Sequence, residues 1–485
     1  MIVTPFVIRL LGTEHYGVLS LINIVISYLA FAEFGMGVAS TRFGSEAYAR
    51  NDNDGEASVV WTSILIAAIP TLIVCLLFVL GARVLVEQAL RLPLNVQETA
   101  IKGLRLASVG FFARTVAGVV NTPQVVRLRI DLVTKINTFG YIIQSGLTLL
   151  VLFLGAGLIG AVLIVAGVNV LIVIALGVVS LRLQPRLIKP QISRELLNPL
   201  LRFGGAVVLT SLANIVLVNA EKVLLARFAS VKALAYYSVA FALAMMLGQV
   251  PSAMNQSLLP ALSNLQTNPN REPLHQLCRR VLHGTLFWVV PAALIMAVVA
   301  RPFLTLWAGP EYGQNSTLAF YILLLGLIVN LLAWVPYNLL VAMGRTGLIA
   351  RFHLAEIVPY VIVAAFLTRS FGVVGAALSW SLRVLISSPL VFFLARRASG
   401  LSLSPVPNNP LAFIVSIVVL VLPSLIIIWL SNSPAVLIPV AITSALVYAT
   451  LIWTKILTND ERAGMRLMIP INVFHRGIED RKIPS

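Results

Sequence analysis

The segment VNAEKVLLARF (218–228) sets Glu221 and Lys222 side by side at the end of a run, from Gly204, that is otherwise apolar. Charged side chains inside such a run are expensive to desolvate, so each needs a partner, a polar cavity or a route to water. Glu33, Arg114, Glu356 and Arg383 lie in comparable surroundings. Adjacent residues on a helix point about 100° apart, so Glu221 and Lys222 are expected not to face each other. Glu221 shares a face with Asn214 and Thr210, a polar stripe expected to look into a cavity, and Lys222 shares a face with Asn219. A second reading is depth: Glu221 lies about 26 Å along the helix from Gly204, near an interface, with Lys222 snorkelling to water. Arg114 and Arg383 lie about ten residues into their runs, where snorkelling is harder, and are expected to face a cavity. Arg383 stands on SWSLRVL, where Ser379 and Trp380 give the helix a polar side. Glu33 is close to Gly35 and Gly37, so a span-end role and a site role are both open for it. Arginine in a cavity can hold a phosphate through two parallel hydrogen bonds, whereas an organic cation prefers carboxylates and aromatic rings. The chain offers both.

These residues need helices long enough to carry them through a bilayer. The 485 residues are 59% hydrophobic and only 11% charged, with a mean hydropathy of +0.95. A soluble domain carries far more charge, so this is an all-α polytopic membrane protein. Complete spans are expected near 16–36, 57–80, 104–124, 136–154, 158–180, 204–226, 234–258, 284–306, 317–342, 350–369, 373–394, 411–430 and 435–454. The apolar piece 1–11 covers about half a bilayer core, which makes the expected count about fourteen helices with the first one truncated. The net charge of +17 does not point to nucleic acid, because the basic residues sit mainly in loops between apolar runs, facing anionic lipid headgroups. Of the 35 Lys and Arg residues, 23 fall in one set of alternate loops and the C-terminal tail and 9 on the other side. The richer side is expected in the cytoplasm, with the C-terminus. Cys75 and Cys278 lie in dissimilar segments and are not expected to pair.

The chain also resembles itself. VIRLLGTEHYGVLS (7–20) lies over LARFASVKALAYYS (225–238) at an offset of 218, RLRIDLVTK (127–135) over GRTGLIAR (344–351) at 216, and GLIGAVL (157–163) over GVVGAAL (372–378) at 215. Three matches in order at a nearly constant offset indicate a duplication. Six spans separate the copies, so both run the same way through the membrane. Two parallel six-helix lobes are expected, 1–180 and 204–397, joined by a basic linker over 181–203. Two C-terminal helices, 411–454, and a cytoplasmic tail, 455–485, follow. Such repeats build transporters with the substrate site between lobes.

GAGLIG (155–160) fits a dinucleotide fingerprint but follows an apolar helix rather than a strand, so it reads as a hairpin turn between spans. The five histidines lack metal spacing. No metal or other cofactor is expected. Loops on the outer side do not much exceed about 20 residues, too little for an external catalytic domain, so the chain is not expected to be an enzyme.

TPFVIRLLGTEHYGVLSLINIVISYLAFAEFGMGVASTRF (4–43) resembles the opening of the bacterial polysaccharide exporters, the O-antigen and teichoic-acid flippases. These belong with the lipid II flippases and the multidrug and toxin extrusion transporters. RFGGAVVLTSLANIVLVNAEKVLLARFASVKALAYYSVAFALA (202–244) resembles that family's seventh and eighth helices, where an acidic–basic pair precedes a small turn and a Tyr-Ser; Glu221 and Lys222 occupy the pair. VAMGRTGLIARFHLAEIV (341–358) resembles the tenth-to-eleventh helix connection. The small turn reads ALA before Tyr236 where the family favours glycine.

The resemblance implies a fourteen-helix, two-lobed transporter in the bacterial cytoplasmic membrane. It would carry an undecaprenyl-diphosphate-linked oligosaccharide to the outer leaflet by alternating access, without ATP and coupled to H+ or Na+. Arg114, Lys222 and Arg383 are then the expected contacts to the diphosphate. Glu221, Glu33, Glu356 and Asn214 are the expected gating or ion-coupling groups. Anionic lipids, a glycan polymerase and other polysaccharide-assembly proteins are the expected partners. The competing expectation is an ion-coupled multidrug or metabolite antiporter on the same fold.

Overall fold

The computed structural model describes residues 3–266, 270–401, 403–404, 411, 413, 415–420, 422–423, 434–456 and 462. Every regular element among them is helical, and nine helices are long and apolar enough to cross a membrane. The chain is a multi-pass, all-helical membrane protein. Contacts divide it into two units, 1–238 with 350–379 and 239–349 with 380–485.

The first unit opens with α1, Thr4–Tyr28, which breaks at Gly12 (φ 77°, ψ 161°). Within the expected short piece over 1–11, residues 4–11 therefore form a separate helical stub. α2 (Met36–Ala49) follows after a 3-10 turn, Leu29–Glu33, and two left-handed residues, Phe34 and Gly35. The single span expected over 16–36 is interrupted in this way. α3 (Asn53–Val84) starts where the Asp52 carboxylate accepts the Gly55 N–H at 2.8 Å. Asp54 and Glu56 stand in its first turn and Arg83 in its last, each favourable to the helix dipole. α4 (Leu94–Val120), α5 (Thr122–Val126), α6 (Ile130–Phe153) and α7 (Gly157–Leu183) complete the first half. Gly155 (φ 81°) and Gly157 (φ 58°) turn the chain between α6 and α7, so GAGLIG is a hairpin turn as expected.

α8, Arg194–Phe228, and α9, Val231–Met245, then begin the second half. Val18, Leu21, Ile22, Leu104, Leu158 and Val162 form one buried cluster with Val231 and Leu234 of α9. Gly17 makes that packing possible, because any Cβ there would collide with the Val231 carbonyl oxygen. The clustering spreads over most of the helices because a buried membrane helix has apolar residues all round and little amphipathic stripe.

The second unit holds α10 (Gln249–Leu265), α11 (Glu272–Ala308), α12 (Pro310–Asn315), α13 (Thr317–Ala342) and α15 (Pro434–Leu451). Its core includes Leu262, Leu274, Cys278, Leu282, Val335 and Leu339. The long α14, Thr346–Ser399, breaks at Gly372 (φ 54°, ψ −125°), between the spans expected over 350–369 and 373–394. Cys75 and Cys278 are buried and form no disulfide. Half of the expected span over 411–430 lies outside the described residues, as does the tail beyond 456 apart from Arg462.

One turn recurs in the backbone at an offset read from the sequence. Leu128 (φ 56°) and Gly344 (φ 70°) are both left-handed. The N–H groups of Leu128 and Arg129 donate to Val125 and Gln124 at 2.9 and 2.8 Å; those of Gly344 and Arg345 donate to Val341 and Leu340 at 2.9 Å each. The donors and acceptors match pairwise at the offset of 216 read from the sequence.

Candidate functional site

α8 carries Glu221 and Lys222 seven and six residues before its end at Phe228. Glu221 is completely buried. Its Oε1 accepts from the Tyr237 hydroxyl on α9 at 3.1 Å, and its Oε2 accepts from the Tyr360 hydroxyl on α14 at 2.6 Å. Leu217 and Ala220 of α8 pack on Tyr360 and Ala364 of α14, so apolar contacts hold the Tyr360 ring in place. Tyr28, from α1, lies within electrostatic reach of the carboxylate.

Lys222 is also buried. Its Nζ donates to the Val218 carbonyl at 2.7 Å and to the Asn219 side-chain oxygen at 2.9 Å, and lies 3.9 Å from Glu221 Oε1. This corrects two expectations. The pair is in contact, because the long lysine stem folds back over the preceding turn and recovers the angle that separates the two Cα–Cβ bonds. Snorkelling to water is excluded by the burial. The expected polar stripe also divides: Asn214, two turns earlier, is exposed while Glu221 is enclosed. The Thr210 side chain lies outside the described residues.

The remaining candidates fall in separate places. Arg114 is exposed on α4, with its charge in range of the half-buried Glu33 at the end of the 3-10 turn. Glu356 is bonded to His353 one turn earlier, Oε2 to Nδ1 at 3.0 Å. Arg383, in the second unit, is half-buried with its guanidinium 6.0 Å from the centre of the Trp380 ring. Trp380 meets Phe241 edge to face at 5.7 Å, and the Ser379 hydroxyl is spent on the Ala376 carbonyl at 2.8 Å. Both are buried, so the polar side expected beside Arg383 faces protein. The structure thus joins Glu221 with Lys222 and brings Glu33 within reach of Arg114.

Sequence reasoning passed over Tyr237 and Tyr360. Tyr237 had a signal, the Tyr-Ser that follows the acidic–basic pair. Tyr360 is 139 residues from its partner, and nothing local marks it. A second buried charge was missed as well. Glu56, fully buried, takes Arg127 in a two-pronged pair, 2.5 and 2.9 Å, and a hydrogen bond from Gln184 at 2.8 Å. Arg127 also lies over the Tyr48 ring at 4.7 Å.

The sequence matches the profile of the family described as "Polysaccharide biosynthesis protein" over residues 6–316. The chain belongs to this family. A Shigella flexneri protein provisionally called an O-antigen transporter is 28% identical over 198 residues, which are 40% of this chain and 46% of that protein. The chain therefore matches about half the length of that relative. The fold is that of known transporters. The lipid II flippase MurJ, in an inward closed conformation, superposes with a TM-score of 0.72 at 13% identity, covering 93% of this chain and 96% of that one. An inward-facing multidrug resistance MATE family transporter of the MOP superfamily gives 0.72 at 15% identity, covering 82% and 93%. A MOP superfamily transporter from Pyrococcus furiosus gives 0.56 at 14% identity, covering 82% and 91%. Family and relative agree with the expectation of a transporter rather than an enzyme.

Proposed function

We propose that this protein moves an undecaprenyl-diphosphate-linked oligosaccharide, an O-antigen, exopolysaccharide or teichoic-acid type of repeat unit, from the inner to the outer leaflet of the bacterial cytoplasmic membrane by alternating access. The observation that carries the reading is the match to a polysaccharide-biosynthesis family over residues 6–316 in a chain built of membrane helices. The Shigella flexneri relative supports a glycan cargo, and the likeness to a lipid II flippase supports a fold able to pass a lipid-linked one. The proposed architecture has fourteen helices: lobes over 1–180 and 204–397, a linker over 181–203, two further helices over 411–454 and a cytoplasmic C-terminus. H+ or Na+ drives it, and a glycan polymerase and other assembly proteins receive the product.

A diphosphate needs cations. Arg114 is exposed and takes one phosphate in this proposal, and Arg383 serves on the second unit. Lys222 joins them by exchanging its bonds to Val218 and Asn219 for the ligand. Glu221, with Glu33, Glu356 and Asn214, is assigned to gating and coupling.

The test is the sidedness of lipid-linked oligosaccharide in cells depleted of the protein. Accumulation on the cytoplasmic face, with surface polysaccharide lost, is the expected result. Normal sidedness with a new sensitivity to cationic drugs would replace the flippase by a multidrug antiporter. Restored export by a triple variant with Ala at Arg114, Lys222 and Arg383 would leave the flippase standing and remove the assigned cations.

A further inference from the structure

We infer that the face of α14 carrying His353, Glu356 and Tyr360 is a proton relay that loads Glu221 from the Arg345 end of the helix. The inference rests on the proposed coupling role of Glu221 and adds the route by which a proton arrives.

The three residues are spaced i, i+3 and i+7, which places them on one helix face over about 10 Å. Exposure falls steadily along that face. The His353 side chain is 31% exposed and that of Glu356 13%; Tyr360 is 4% exposed and Glu221 0%. The two ends are closed contacts, His353 Nδ1 to Glu356 Oε2 at 3.0 Å and Tyr360 hydroxyl to Glu221 Oε2 at 2.6 Å. Between them, Glu356 and Tyr360 are one turn apart, with Cβ atoms about 6 Å from each other and side chains long enough to meet. The opposite face of the same helix shows Val358 and Ile362, 65% and 63% exposed, together with the exposed Arg351, whereas Tyr360, on the side shared with His353 and Glu356, packs on α8. A neutral helix face would have served packing equally well. A histidine and a carboxylate in series, ending on a fully buried carboxylate, need a further reason.

The transfer balances without a co-reactant. A proton on His353 passes from Nδ1 to the Glu356 carboxylate. Glu356 then gives it to the Tyr360 oxygen while the Tyr360 hydroxyl gives its own proton to Glu221. Glu221 ends neutral, Glu356 anionic and Tyr360 unchanged. The charged or titratable groups facing Glu221 are Lys222 from its own helix, Tyr237 from α9, Tyr360 from α14 and Tyr28 from α1. Loading removes the negative charge beside Lys222 and frees its ammonium from Glu221.

The test uses the purified full chain in lipid nanodiscs. A pH jump is followed by infrared absorption of the protonated carboxyl that disappears in Glu221→Gln. In Glu356→Gln and His353→Ala, neither of which touches Glu221, the band should rise more slowly by about tenfold or more and reach the wild-type amplitude. Val358→Ala, on the opposite face, should rise at the wild-type rate. Wild-type kinetics in both Glu356→Gln and His353→Ala would overturn the relay while leaving a titrating Glu221 available for coupling. A Glu221 band that fails to respond between about pH 4 and 9 in every form would overturn both the relay and proton coupling at this residue.

Discussion

At the scale of single residues, buried charge is handled in two ways. Glu221 is held by hydroxyl donors and has an ammonium nearby, which keeps its carboxylate solvated by the protein without a tight, permanent ion pair. Tyr237→Phe removes one donor from a buried acceptor, and is expected to cost about 1–3 kcal/mol, read as a lower midpoint of thermal unfolding in detergent. Glu56 is handled differently, with a two-pronged arginine and a glutamine amide. Removing one member of such a pair strands a buried charge. Glu56→Ala and Arg127→Met are each expected to lose about 3–5 kcal/mol, whereas Glu56→Leu with Arg127→Met should recover much of it. Additive losses in the double variant would show that the two side chains act independently.

At the scale of the helix, glycines decide where elements stop and how closely they approach. Gly17 in α1 sits against the Val231 carbonyl of α9, so Gly17→Ala must push the helices apart, at a cost of about 1–3 kcal/mol. Gly81 in α3 has open space around its Cβ position. Gly81→Ala is expected to gain about 0.5–1 kcal/mol, because alanine loses less conformational freedom in a helix. The two variants should shift the unfolding midpoint in opposite directions. A destabilised Gly81→Ala would mean that the α3 surface is occupied at that point in the folded protein.

At the scale of the whole molecule, orientation follows from charge. The loop asymmetry predicts that the basic linker lies in the cytoplasm and the α6–α7 turn outside. Lys189 and Ala156 are both exposed, and the native cysteines are buried, so single engineered cysteines report cleanly. In intact cells an impermeant maleimide should label Ala156→Cys and spare Lys189→Cys until the membrane is permeabilised. The reverse pattern would invert the topology and place the Arg345 end of α14 outside.

The sequence alone determined the class of the molecule, most span positions and the α6–α7 turn. These depend on local composition: apolar length sets a span, and positive φ singles out glycine. It also singled out Glu221 and Lys222, because a charge in an apolar run is conspicuous wherever its partners are. Only the tertiary structure decided what those residues do with their charge. Tyr360 and Arg127 lie 139 and 71 residues from the carboxylates they bond. Helices that are apolar all round carry little signal for which rotation of one meets which face of another. The same packing interrupted the first expected span at Phe34 and Gly35, and enclosed a lysine that its position along the helix would have sent to water.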